Sequence, residues 1–217
     1  MIIAKLQIEE LKQDSFLIDE VTKILVPSYV DPDEILVKAL QNNTTAYLGF
    51  SESEVLCSFF FVGDEYPVLK DGELFYLGLS ACIESEKGRG LTYQLYKHFL
   101  TEVEDLHHQA YFWATTANPL VYLLMKKLFD QVAPSSRRHT ELEGLALKVR
   151  NEIAPLSFAC ESPFVLKKFS PKVQYSKDEL DRIAVIKSRR NSTPEFSSID
   201  EEQGDRLLIV ASKNGKC

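Results

Sequence analysis

"CIESEKGRGLTYQLYKHFL", Cys82 to Leu100, joins two periodicities across a short charged turn. Upstream, Leu74 to Ile83 is almost continuously apolar, the pattern of a central strand covered on both faces. Downstream, Leu91, Leu95, Phe99 and Val103 fall four apart, and Tyr96 and Leu100 widen the stripe into the apolar face of a helix. Strand, glycine turn and helix place several unpaired backbone N–H groups at one point. Gly88 and Gly90 let a ligand approach the main chain closely, and the helix dipole favours negative charge there. Lys87 and Arg89 add two cations. The turn is therefore an anion-site candidate, although a plain structural turn accounts for such a glycine pair equally well. A nucleotide-hydrolysing phosphate loop is excluded, because Gly90 is followed by Leu91 and Thr92 rather than by Lys and Ser or Thr. A dinucleotide fingerprint would need a third glycine and an early βαβ unit.

Outward from this stretch, the elements alternate. "MIIAKLQIEEL" opens as a strand, and residues 15–43 predict one or two amphipathic helices, broken near Pro27 and restarted at Asp31 to Asp33. "TTAYLGFSESEVLCSFFFV" predicts a hairpin with "SESE" as its turn. After the central helix, "QAYFWATT" is a strand, and Asn118 and Pro119 are the cap and first residue of a short apolar helix. Because a hairpin precedes the first crossover, the expected class is α/β, an α+β layered domain. Its sheet should be mixed rather than purely parallel. Residues 1–217 are read as a single domain with a core over 1–130. The part from 134 to 217 is less regular: a helix from about Thr140, strand-like "SPFVLKKFSPKVQYS", "DELDRIAVI" as helix or strand, an exposed loop over 187–205, and a last strand at 206–212.

Composition bounds the function. The 217 residues are 45% hydrophobic and 26% charged, with a net charge of −7, an ordinary globular balance that makes nucleic acid a poor partner. Cys57, Cys82, Cys160 and Cys217 form no close pair, so neither a disulfide framework nor a zinc site is indicated, and the four histidines have no metal spacing. The strongest apolar run, Val55 to Val62, is far short of a membrane span. With no leader-like start, a cytoplasmic protein without membrane partners is expected.

The order of elements and the turn resemble the GNAT superfamily of N-acetyltransferases, which carries R/Q-x-x-G-x-G/A between its fourth strand and the next helix. Here Lys87, Gly88, Arg89, Gly90, Leu91 and Thr92 stand in those places: Gly90 matches, while Lys87 and Thr92 depart. The resemblance covers roughly residues 1 to 130 and implies a mixed, mostly antiparallel central sheet with helices on both faces. It implies acetyl-CoA as cosubstrate, with the pyrophosphate on the N–H groups of Gly88 to Thr92. It also implies the pantetheine arm against main chain at Cys82, Ile83 and Glu84, and Asn118 bonding that arm. Direct transfer to a small-molecule or peptide amine is implied, with main-chain N–H groups near Cys82 as oxyanion donors. The family's usual tyrosine acid falls seven positions beyond the Asn, at Met125, which leaves Tyr122 one turn early as the candidate acid, with a core or cofactor-packing tyrosine as the plainer reading of it. Glu84 is the candidate base. Cys82 is read as inert rather than as a nucleophile. The cluster Asp64, Glu65, Tyr66, Asp71 and Glu73 lies where the family often meets its acceptor. The alternative is a catalytically weak protein of this fold that binds coenzyme A or another ligand as a sensor or interaction module.

Overall fold

The computed structural model describes residues 1–63, 73–106, 109–135, 139–154, 162–170, 174–189 and 194–214. In chain order the elements are β1 (Ile2–Gln7), α1 (Ile8–Gln13), α2 (Ser15–Leu25), α3 (Pro32–Asn42), β2 (Thr45–Phe50) and β3 (Leu56–Gly63). Then come β4 (Glu73–Cys82), α4 (Leu91–Leu106), β5 (Gln109–Thr116), α5 (Pro119–Leu128) and β6 (Gln131–Ala133). The chain continues through α6 (Thr140–Ile153), β7 (Val165–Leu166), α7 (Lys177–Arg189), α8 (Pro194–Ser197) and β8 (Arg206–Asn214). One sheet runs in the order β1, β2, β3, β4, β5, β8, β6, with β7 also on β8. Every pairing is antiparallel except β4 with β5. The layered, mostly antiparallel mixed sheet expected from the sequence is what forms.

Short polar residues fix the helix starts. Asp14 caps α2 by accepting from the Leu17 N–H at 3.0 Å, and Asp31 caps α3 from Glu34 N–H at 3.0 Å, with Pro32 in the first turn. Asn118 caps α5 through its Oδ1, which accepts from Leu120 N–H at 3.0 Å. In β3, Phe59 and Phe61 point into the layer under α1, α2 and α3, while Phe60 points into the layer under α4, α5 and α6. All three are fully buried, and each contributes roughly 2–3 kcal/mol of apolar transfer to one of two cores.

The second half departs from the sequence reading. Among the described residues of "SPFVLKKFSPKVQYS", Val165–Leu166 is strand and Tyr175 makes an isolated bridge, while "DELDRIAVI", expected as helix or strand, is helix within α7. The stretch 187–205, expected as an exposed loop, carries the end of α7 and all of α8. Phe196 and Ile199 are buried and Asp205 is 2% exposed. Two apolar anchors inside a polar stretch are enough to hold it down, and they were too sparse to show a period.

β8 enters the sheet between β5 and β6, pairing with β5 over Gln109–Thr116 and with β6 over Gln131–Ala133. The residues before α7 fold back on the N-terminal helices. Tyr29 and Tyr175 form an antiparallel bridge and stack at 5.4 Å, and Val30 N–H donates to Gln174 O at 2.9 Å.

Candidate functional site

A gap opens where two neighbouring strands choose different partners. β4 and β5 pair only from Glu73–Tyr76 against Ala110–Trp113. Beyond that point β4 stays with β3 as far as Cys82 opposite Ser58, and β5 stays with β8 as far as Thr116 opposite Leu207. A bulge on β4, with Ser80 opposite Phe60 but Leu77 opposite Val62, bends the strand just past the split. The gap belongs to a cleft of about 1040 Å³ running from the glycine turn to the start of β8.

Gly88 and Gly90 take φ of +85° and +80°, and nothing lies within 4 Å of where a Cβ would stand on either. The backbone there is left-handed and open to the cleft. In α4 the first internal bond runs from Gln94 N–H to Gly90 O, so the Leu91, Thr92 and Tyr93 N–H groups have no intrahelical acceptor. Arg89 N–H is committed to Glu86 O at 3.1 Å.

Of the ten residues expected to bind the cofactor, Cys82, Glu84, Lys87, Gly88, Gly90, Leu91, Thr92 and Asn118 line the cleft. Ile83 and Arg89 do not. Ile83 packs into the core under α1 to α3 and its N–H donates to Cys57 O at 2.8 Å, so that main chain is already used. The Arg89 side chain is exposed and ion-paired to Glu86 at 3.1 Å.

The charges around the turn are matched. Lys87 pairs with Glu84 at 2.6 Å and Glu179 at 3.6 Å, and Arg182 pairs with Glu84 at 2.7 Å and Glu179 at 3.0 Å. Glu179, from α7, is buried and also accepts from Asn118 Nδ2 at 3.3 Å. The hydrogen bond from Lys87 holds the Glu84 carboxyl below its usual range, assisted by Arg182, which makes Glu84 a weak base. Burial pushes the Cys82 thiol up, consistent with an inert role.

Tyr122 does not reach the cleft. It is 1% exposed, its hydroxyl donates to Pro134 O at 2.6 Å and its ring meets Phe196 edge-on. Burial pushes its hydroxyl up to about 12. Met125 is wholly buried in the same core. The α5 residues that face the cleft are Leu120, Val121 and Leu124, so this helix offers it no phenol. In the acidic cluster, Asp64, Glu65, Tyr66 and Asp71 lie outside the described residues, as do His107 and His108. Glu73 begins β4, opposite Ala110.

Sequence reasoning missed the far wall of the cleft. Asn43, Tyr29, Gln174, Tyr175, Glu179, Arg182 and Arg206 all line it. Asn43 abuts Gly78, where any Cβ would overlap its amide. A buried amide beside a glycine and an arginine opening an apolar strand leave no local pattern to find. No helix among the described residues is long and apolar enough to cross a membrane.

No protein-family model matches the chain, and no curated protein matches it closely enough to count as a relative. Solved structures of similar fold include an aminoglycoside 6'-N-acetyltransferase complexed with coenzyme A, 10% identical, covering 100% of this chain and 99% of that one at a TM-score of 0.45. An IAA acetyltransferase from Bacillus cereus is 9% identical over 97% of this chain and 98% of its own, at 0.46. A GNAT family N-acetyltransferase from Escherichia coli in complex with CoA is 12% identical, covering 56% and 65%, at 0.44. At these identities and scores the likeness is one of overall fold, and it assigns no residue, ligand or substrate to this chain.

Proposed function

We propose that the chain is an acyl-CoA-dependent N-acyltransferase of the GNAT superfamily, with acetyl-CoA as the donor and an amine as the acceptor. The observation that carries this reading is the gap between β4 and β5, continuous with an open left-handed glycine turn at a helix start. The residues fit the cofactor. Gly88, Gly90 and the first turn of α4, whose N–H groups have no intrahelical acceptor, line the cleft, as a pyrophosphate requires, while Arg89 N–H is already used. The β4 edge released beyond Tyr76 supplies main-chain groups for an extended amide-bearing arm, upstream of the committed Ile83. A cleft of about 1040 Å³ holds both a long donor and an acceptor.

The bound donor supplies a thioester. In the transfer, the amine nitrogen forms a bond to the acyl carbon, the carbon–sulfur bond breaks, and the amine proton passes to water. Glu84 is clamped by two cations and Tyr122 is sealed in the core, so this chain's part is to bind, align and exclude solvent. An ordinary thiol titrates near about 8.5, so the leaving sulfur needs little help as a thiolate near neutral pH. Turnover should then rise with pH along the acceptor's own amine titration.

The second reading, a coenzyme A binder with little turnover, is favoured by one observation: Glu179 already occupies Lys87 and Asn118. Thermal-shift titration with CoA, acetyl-CoA and a nucleotide panel tests binding, and release of free thiol over an amine panel then separates the two readings. At ligand near a hundred times Kd, stabilisation of about 2.7 kcal/mol is expected. An unchanged melting temperature with every CoA species would overturn both.

A further inference from the structure

Arg206, at the start of β8, is 4% exposed and lines the cleft. Its guanidinium donates to Asp205 O at 2.7 Å and to Gln174 Oε1 at 2.8 Å, and it lies over the Tyr175 ring at 5.5 Å. All of these partners are neutral. The neighbouring Asp205 carboxylate is held by Lys167 at 2.7 Å and by the Lys168 and Asp200 N–H groups at 3.0 and 3.1 Å. The other cations lining the cleft each have a carboxylate: Lys38 has Glu34, Lys87 has Glu84 and Glu179, and Arg182 has Glu84 and Glu179. Arg206 has none among the described residues. A buried cation without a counter-charge is costly in an empty protein and is repaid when an anion binds. These two hydrogen bonds leave further N–H donors in the fork.

Across the gap, Asn43 presents the opposite requirement. It is 7% exposed and lines the cleft, its Nδ2 donates to Ala39 O at 2.7 Å, and its Oδ1 has no partner among the described residues. That oxygen sits against Gly78, on the part of β4 that has left β5. Arg206 stands just beyond the end of the β5 pairing, on the other side of the same gap. One side therefore lacks an anion, and the other lacks an N–H donor.

We infer that the acceptor is an amine that also carries a carboxylate, with its carboxylate on Arg206 and its N–H on Asn43 Oδ1. This rests on the acyltransferase reading and adds the acceptor's chemical class. A guanidinium fork matches a planar carboxylate, and a site built to bind one rejects the analogue that leaves its charge unpaired.

The test compares matched pairs on the wild-type protein: free amino acids and short ω-amino acids against their carboxamides, and phosphorylated amines as a third arm. Free-thiol release from acetyl-CoA should show kcat/KM at least about tenfold higher for the acids than for the amides. That ratio should fall toward one in Arg206→Gln, while Asn43→Leu raises KM across acids and amides together. Calorimetry of the same compounds without acetyl-CoA provides a readout independent of turnover. If no amine releases thiol, the acyltransferase reading fails, and preferential binding of acids that Arg206→Gln removes still supports the inference. Equal handling of acids and amides by the wild type in both assays would overturn it, and so would a preference for the phosphorylated amines.

Discussion

At the glycine end of the cleft, Lys87, Arg89 and Arg182 meet Glu84, Glu86 and Glu179 in ion pairs of 2.6 to 3.6 Å, whereas at the β8 end Arg206 lies buried against neutral partners alone. The two ends treat charge differently because they use different groups. Around the turn the donors of the proposed anion site are backbone N–H groups at a left-handed bend, and the surrounding side chains cancel one another. At β8 the donor is a side chain whose charge no carboxylate among the described residues cancels. A site of the first kind recognises an anion through backbone shape, and one of the second kind through charge. Matched ion pairs at the half-exposed turn contribute little to stability, and they leave the positioning to the glycines.

Changes at the turn should break this contrast most sharply. Gly90→Glu places a like-charged carboxylate where the pyrophosphate is proposed to lie, and forces a side chain into φ +80°, a backbone strain of about 1–2 kcal/mol. CoA affinity should drop at least about a hundredfold in a thermal-shift titration, with the Arg206-dependent binding of carboxylates unchanged. A smaller effect is expected of Glu179→Gln. It releases Lys87 and Asn118 from a competing anion, and CoA should bind about fivefold tighter by calorimetry, the scale of one partly screened pair. Weaker binding in this variant would mean that Glu179 orders the turn instead of competing there.

Tyr122→Phe removes only the bond to Pro134 O. Turnover should stay within about twofold, and chemical denaturation should show a loss of about 1 kcal/mol. Loss of turnover out of proportion to stability would return Tyr122 to the chemistry. The smallest effect concerns Glu84, whose folded-state pKa is lowered by Lys87 and Arg182. A depressed carboxylate stabilises the fold above its unfolded value and loses that contribution as pH falls through the folded one. Glu84→Gln should therefore flatten the acid side of the stability curve slightly and leave transfer near neutral pH unchanged.

The half of the cleft that could be read from the sequence is the half made of local patterns. The "EKGRG" turn, the period of α4 and the Asn118–Pro119 cap each lie within a few residues, and each formed where its pattern placed it. The other half is made by contacts between distant residues. Tyr175 reaches Tyr29, and Glu179 reaches Lys87 and Asn118, through a return of the chain that hydrophobic period cannot encode. Which of its two readings Tyr122 takes, acid or core, is decided by a contact of the same kind. Sequence put it on α5 but not on the α5 face turned toward Phe196, because α8 was read as loop.

The insertion of β8 between β5 and β6 also sets the order in which the protein can assemble. Until residues 206–214 have been synthesised, β5 has a bare, strongly apolar edge, and β6 has no strand beside it. Both are liabilities for association with other chains. The Arg206 wall closes with the same strand, so a nascent chain has its glycine turn long before it has the pocket opposite. Capacity to hold an anion at the turn should therefore precede capacity to select what is placed beside it.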